Sequence, residues 1–235
     1  RPFMFTLQPT RKHPSYQHSQ TVSKVISLYD NAGESFLPGA DKSTSPVTRH
    51  LALSKALFFC FDPTQDPRFR KACEGKSDDP QMVPRAKRLE RENSVRQDTI
   101  LVEATQRVRR HAGLREDQLH KQPLIVVVTK WDSWHKLLPD LSHKEPYKKI
   151  NGQPIQAINV EKILKASQQV ELLLEKLCPE IVATAIGFAE EVFFIPISAT
   201  GRGPEVDPET GALGIRPRDI KPWWVEIPLL LGFHR

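Results

Sequence analysis

The chain has 235 residues, enough for one large domain or two small ones. Hydrophobic residues make up 39% of it and charged residues 26%, which excludes wholesale disorder. Its longest apolar runs, 56–61 and 124–128, are far too short to span a bilayer. The formal charge of +6 is spread along the chain, so nucleic acid is not expected as a partner.

The three cysteines, Cys60, Cys73 and Cys178, lie far apart and show no CxxC spacing. This pattern argues against a disulfide framework and against a structural zinc site. We therefore predict a reducing, cytoplasmic setting. No signal peptide is predicted, because the chain opens at Arg1-Pro2 without a long apolar stretch.

Five short apolar segments alternate with longer polar segments and are predicted to be strands. They span 3–7, 22–29, 56–61, 124–128 and 192–197. Strands that are apolar throughout are typical of parallel sheets covered by helices on both faces. Helices are predicted at 46–55, 93–112 and 160–177. The alternation predicts an α/β fold with a doubly wound, mainly parallel sheet.

The helix at 160–177 has the clearest signals. Asn159 precedes it as an N-cap residue, apolar side chains recur along one stripe, and Pro179 stops it. Gly113 is expected to end the helix at 93–112. Periodicity leaves two interpretations of the segment 180–191, a continued helix or a loop.

Three stretches are predicted to be inserted or flexible loops within a single domain over residues 1–235. They are 62–92, 133–158 and 201–217, which are rich in proline, glycine or charged residues. The segment 221–235, which carries Trp223 and Trp224, is expected to cover an open face of the core.

Short polar motifs follow three of the predicted strands, at the end where ligands of open parallel sheets bind. They are Asp30-Asn31-Ala32-Gly33-Glu34, Thr129-Lys130-Trp131-Asp132 and Ser198-Ala199-Thr200. In this order they resemble the Asp-x-x-Gly, Asn/Thr-Lys-x-Asp and Ser-Ala motifs of Ras-like P-loop GTPases of the TRAFAC class. The resemblance implies a P-loop NTPase fold that binds GTP or GDP with Mg²⁺. The tail 220–231 is also similar to bacterial members whose GTPase domain lies in a larger chain.

The resemblance implies that the first motif binds the phosphates and the metal ion. Asp30 would hold Mg²⁺ through a water molecule, and the backbone N–H of Gly33 would approach the γ-phosphate. Glu34 stands where small GTPases commonly carry the glutamine that orients the attacking water, so it is the candidate catalytic residue. A carboxylate there also repels the γ-phosphate, which predicts slow hydrolysis. The other interpretation of Glu34 is a solvent-facing charge at a helix start.

The other two motifs would recognise the base. The two acceptor oxygens of Asp132 match the adjacent N–H donors of guanine and mismatch adenine. The resemblance places the aliphatic stem of Lys130 across the base plane and directs the backbone N–H of Ala199 to the guanine oxygen. Thr129 and Ser198 complete the predicted nucleotide-binding set.

The P-loop that such GTPases carry before Asp-x-x-Gly is missing from this sequence. The 29 residues before Asp30 contain no glycine. Gly75-Lys76-Ser77 does not replace it, because Arg70 occupies the position of the earlier glycine. We therefore expect a domain whose first strand and P-loop lie upstream. The alternative is a degenerate GTPase that has lost its phosphate cradle.

Two functions from different classes follow. The first is a guanine-nucleotide-binding domain of a regulatory GTPase, which in its complete form hydrolyses GTP to GDP and phosphate with Mg²⁺. The second is a pseudo-GTPase that acts as a scaffold for an unidentified protein effector or for neighbouring domains, without nucleotide turnover. The base motifs favour the first function and the missing P-loop favours the second.

Overall fold

The computed structural model describes residues 2–13, 16–18, 23–31, 36, 49–82, 96–141, 145–152 and 155–234. In chain order the strands are β1 (Phe3–Leu7), β2 (Lys24–Leu28), β3 (Leu57–Phe61), β4 (Leu124–Val128), β5 (Tyr147–Lys149), β6 (Gln156–Ile158), β7 (Val192–Pro196), β8 (Glu205–Val206) and β9 (Leu213–Gly214). The helices are α1 (Arg49–Leu53), α2 (Pro67–Ala72), α3 (Gln97–Ala112), α4 (Trp131–Trp134), α5 (Val160–Leu177), α6 (Pro179–Ile186) and α7 (Ile227–His234). The predicted α/β class is confirmed.

The centre of the fold is a parallel sheet in the order β3-β4-β7. All five residues of β4 are buried, because β4 is the middle strand and is apolar throughout. Phe61, Val128 and Pro196 are aligned across the three strands, so the chain leaves each strand at the same edge of the sheet. Residues that follow these strands in sequence are therefore brought together.

Helix α5 forms as predicted and packs against β7. The Asn159 side chain accepts a hydrogen bond from the Lys162 N–H at 3.2 Å and so caps the helix. Ser167 on its buried face accepts a hydrogen bond from the Phe194 N–H of β7 at 2.9 Å. The segment after Pro179, which periodicity left undecided, begins as the helix α6.

The described part of the stretch 62–92, predicted to be a loop, contains regular structure and core residues. A 3-10 helix spans Pro63–Gln65 and α2 follows it. Phe69 and Met82 are buried in the core. The stretch 133–158 contributes the short antiparallel pair β5–β6, and 201–217 contributes the two-residue pair β8–β9. The proline and charged residues of these stretches follow no helix or strand periodicity, so the sequence pattern does not predict this structure.

The last helix covers the sheet as expected. Ile227 and Leu231 of α7 are fully buried. Gly232 packs so closely on this face that a Cβ there would lie 3.5 Å from Phe58 and 3.8 Å from Ile125. No helix in the described ranges is long and apolar enough to cross a membrane.

The sequence counts β1 and β2 among the strands of the mainly parallel sheet, but they form a separate antiparallel pair that is largely exposed. Every residue of β1 is exposed, and in β2 only Ile26 is buried. Phe3, Met4 and Phe5 are each at least half exposed. This pair therefore contributes little to the core that surrounds β4.

Candidate functional site

The three parallel strands bring the second and third motifs to one edge of the sheet. Thr129 follows β4, and both its N–H and its hydroxyl donate to the Phe61 carbonyl of β3 at 3.0 Å. The Trp131 N–H donates to the Ile197 carbonyl beyond β7 at 2.9 Å. These bonds tie the loop after the middle strand to the loops on either side of it.

Asp132 and Ser198 are directly hydrogen-bonded, although 66 residues separate them. The Ser198 hydroxyl donates to Asp132 Oδ1 and accepts from the Gly201 N–H at 2.6 Å. Ser198 is completely buried, and its backbone pairs with that of Trp223 in both directions, at 2.9 and 2.8 Å. The serine therefore orients the carboxylate, whereas its neighbour Ala199 is exposed.

Gly201 is required by the geometry of this loop. Its φ is +72°, and a Cβ on it would lie 1.9 Å from the carbonyl oxygen of Lys221. Only glycine permits both the left-handed conformation and this backbone approach. The close packing fixes the Ser198 loop against the segment that leads to Trp223.

Lys130 adopts a left-handed conformation, with φ at 55°. Its ammonium donates to Asp62 Oδ2 at 2.9 Å, to the Thr64 hydroxyl at 2.9 Å and to the Gln81 side-chain oxygen at 2.8 Å. The three N–H donors of the ammonium therefore all have protein partners. Those partners come from the stretch that the sequence assigned to an insertion.

A cavity of about 800 Å³ opens beside Asp132 and Ser198. Three of its lining residues form a stack of indoles. Trp131 lies over Trp223 with ring centroids 5.2 Å apart and planes at 17°, and Trp223 lies over Trp224 at 4.7 Å and 11°. The cavity therefore combines three stacked indoles with the Asp132 carboxylate.

Asp79 is one of five further carboxylates that line the same cavity, with Asp78, Glu145, Glu205 and Glu226, and it is 5% exposed. Its Oδ1 accepts a hydrogen bond from the Gln81 N–H at 2.8 Å. Burial raises the pKa of this carboxyl, and the negative charges of Asp132 and Asp62 raise it further against the opposing effect of Lys130. Asp79 is thus close enough to the base motifs to be affected electrostatically by them.

The first motif lies at the end of the exposed β1–β2 pair. Asp30 is exposed, and its negative charge contributes, after burial, to raising the pKa of the Cys60 thiol on β3. The Tyr29 ring stacks on the His50 ring of α1 at 4.2 Å, and the Asn31 amide lies 3.3 Å from His50 Nε2. Asp30 is therefore near the carboxyl end of β3. Gly33 and Glu34 lie outside the described residues.

The described residues do not form a metal site by themselves. Within the described ranges, no three histidine, cysteine, aspartate or glutamate side chains are grouped as a metal site requires. Asp30 offers a single carboxylate, which suits Mg²⁺ only when phosphate oxygens supply other ligands. The assignment of Mg²⁺ to Asp30 stays a prediction.

Two of the residues that build this site were not predicted from the sequence. Asp62 directly follows a predicted strand, as Asp30 does. Its position at a strand end is therefore a signal by which the sequence could have indicated it as a site residue. Asp79 gave no such signal, because it lies in an aperiodic segment rich in charge and proline. The sequence predicts for Trp223 and Trp224 a place in a segment that covers the core, and it does not predict their place in the cavity wall.

The chain matches no known family model, no curated protein and no solved structure. Its function is therefore inferred from the geometry of the site.

Proposed function

We propose that this sheet edge binds the guanine base of GTP or GDP, in a Ras-like P-loop NTPase fold that acts as the nucleotide-binding domain of a regulatory GTPase. The observation that carries the proposal is the hydrogen-bonded pair of Asp132 and Ser198 beside the stacked indoles. Two motifs distant in the sequence converge there on one cavity.

The chemistry of Asp132 suits guanine. Its Oδ1 is held by Ser198, and its Oδ2 accepts no hydrogen bond from the described residues. A carboxylate oriented in this way can accept the N1–H and one N–H of the 2-amino group of guanine. Adenine presents an acceptor at N1, so the same carboxylate would repel it.

The phosphate side of the proposal depends on a further strand that carries a P-loop. In the described part of the chain, β3 pairs with β4 alone, so its other edge has no partner strand there, and the charge of Asp30 acts on Cys60 of β3. A strand added there would bring its loop to the sheet edge that holds Asp132. With such a loop, Asp30 would bind Mg²⁺ and Glu34 would orient the attacking water, and GTP would be hydrolysed to GDP and phosphate.

The alternative is a pseudo-GTPase that acts as a protein-interaction scaffold. The exposed apolar residues of β1 favour it, because exposed apolar patches commonly mark contact surfaces. The alternative predicts no base selectivity in the cavity. Selectivity for guanine therefore separates the two functions.

The test replaces Asp132 by asparagine, which keeps the shape of the side chain and exchanges one acceptor for a donor. We expect the wild-type chain to bind GMP more tightly than XMP and the Asp132→Asn variant to reverse this order. GMP affinity should fall by about tenfold or more, because guanine N–H groups then face an unmatched partner. The shifts of the tryptophan indole N–H signals in NMR titrations measure both affinities. Equal GMP affinity of variant and wild type would remove Asp132 from a base site.

A further inference from the structure

The cavity contains more unsatisfied polar groups than Asp132 alone provides. Oδ2 of Asp79 accepts no hydrogen bond from the described residues, although the residue is only 5% exposed. The indole N–H of Trp224, which is 3% exposed, has no partner either within the part of the chain that the structure describes. A fully buried N–H such as that of Trp224 is rarely left unpaired, whereas Oδ2 of Asp79 keeps some solvent contact; both residues line the cavity.

The position of Asp79 is fixed by its surroundings. Its N–H donates to the Ser77 hydroxyl at 3.3 Å, and its Oδ1 accepts from the Gln81 N–H. On the other side Gly203 packs against it, so that a Cβ on this glycine would lie 3.3 Å from Asp79 Oδ2. The carboxylate is therefore held between the 77–82 turn and the loop that follows Ser198.

The two carboxylates differ in what holds them. Asp132 has the Ser198 hydroxyl on one oxygen, whereas Asp79 has only a backbone N–H. Nearby Lys130 directs its ammonium to Asp62, Thr64 and Gln81. Lys136 is bonded to the exposed carboxylate of Asp78. The cavity thus retains the acceptor capacity of Asp79 for a ligand that donates hydrogen bonds.

We infer that Asp79 is a second base-reading residue, which accepts the N–H of the guanine 2-amino group that Asp132 leaves free. This inference rests on the proposed guanine site and adds a specificity to it. A 2-amino group carries two N–H donors, and one carboxylate beside N1–H takes only one of them. Asp79 would thereby add to the discrimination that Asp132 provides against hypoxanthine, which shares N1–H and the C6 carbonyl oxygen with guanine but lacks the amine.

The test compares the binding of GMP and IMP to the wild type, to Asp79→Asn and to Asp132→Asn. AMP serves as the adenine reference. Indole N–H shifts in NMR titrations report binding. Because Asp132 also accepts one N–H of the amine, we expect wild type to prefer GMP over IMP by about tenfold and Asp79→Asn to keep only the part that Asp132 provides, about threefold, while its IMP affinity stays within about twofold. Asp132→Asn should weaken both nucleotides. Asp78→Asn, which changes the neighbouring exposed carboxylate, is the matched control and should keep the preference.

The outcomes separate this inference from the proposed function. If GMP is preferred over AMP and Asp79→Asn keeps the full GMP-over-IMP preference of wild type, Asp79 does not read the amine, while the guanine site stands. Equal binding of GMP and IMP by wild type overturns the inference together with the amine contact of Asp132, while N1–H recognition stands. If wild type does not distinguish GMP from AMP, the proposed function itself fails. The asparagine variant keeps the Oδ1 acceptor for Gln81, and an unchanged NMR spectrum verifies its fold.

Discussion

The two halves of the predicted nucleotide site are built in different ways. The base half consists of Lys130, Asp132 and Ser198, which follow strands β4 and β7 of the buried parallel sheet, and each side chain has a protein hydrogen-bond partner. The phosphate half is represented by Asp30, an exposed residue at the end of an exposed strand pair. Precise recognition needs groups held rigidly by their surroundings, which the base half has and Asp30 lacks.

Because the two halves differ in this way, the presence of all three sequence motifs does not by itself establish a complete site. Three motifs occur in the expected order, but the structure supports only the two that follow β4 and β7 with interlocking contacts. Lys130 is tied to the Asp62 loop, and Ser198 to Trp223. These contacts indicate that the base half is rigid and that Asp30 is independent of it, and substitutions in each half should therefore differ in their effects.

Gly201→Ala should have the largest effect on stability. A Cβ would meet the Lys221 carbonyl oxygen at 1.9 Å in a left-handed conformation. We expect the free energy of unfolding to fall by about 3 kcal/mol, from the combined cost of that conformation and of overpacking. Gly211→Ala is the matched control, because Gly211 has φ at +69° with nothing within 4 Å. It should cost only about 1–2 kcal/mol. Equal urea midpoints for the two variants would show that the Ser198 loop is not locked.

Lys130→Met should have a smaller effect. Methionine keeps the aliphatic stem but removes the ion pair with Asp62. The side chain of Lys130 is 32% exposed and that of Asp62 is 21% exposed. We expect a loss of about 1–2 kcal/mol, because charged hydrogen bonds in partly buried sites exceed surface pairs but are still screened. Lys136→Met, which removes a pair with the largely exposed Asp78, is the control and should cost less than about 0.5 kcal/mol. Equal losses in chemical denaturation would contradict the structural role of Lys130.

Asp30→Asn should leave stability unchanged and alter only its neighbourhood. Burial, and then the charge of Asp30, raise the pKa of the Cys60 thiol. Removing the charge lowers that pKa, so more thiolate is present at pH 8 and alkylation of Cys60 should accelerate by about twofold. Burial raises the pKa of Cys73 to about 11, and its alkylation rate serves as the internal control. Peptide mapping by mass spectrometry measures both rates. An unchanged Cys60 rate would place Asp30 away from β3.

The parallel sheet could be predicted well because its signals are local. Leu124–Val128 is apolar throughout and rich in β-branched residues, which is typical of a strand buried on both faces. Asn159 likewise begins α5 by accepting a hydrogen bond with its side chain, and Pro179, which opens the next helix, follows the end of α5 at Leu177. The motifs at strand ends could be located for the same reason, since a parallel sheet places them at one edge.

The remainder of the site depends on contacts that the sequence does not encode locally. Asp79 reaches the cavity because the 77–82 turn packs against Gly203, more than 120 residues away along the chain. Gln81 contacts Lys130 across 49 residues. Such tertiary contacts leave no periodic pattern in the sequence. A segment rich in proline and charged residues is therefore predicted to be a loop even where it lines the cavity.

Calorimetric titration of the 235-residue chain with GMP and with GTP, both with Mg²⁺, tests the central comparison most directly. If the base half binds the nucleotide and no phosphate cradle accompanies it, both nucleotides should bind with similar, roughly millimolar affinity, near 4 kcal/mol of binding free energy. Without a P-loop the added phosphates lack the backbone N–H groups that normally hold them. Micromolar binding of GTP alone would contradict the account, because the phosphates would then be gripped by other residues. Binding of neither nucleotide would contradict the base half itself.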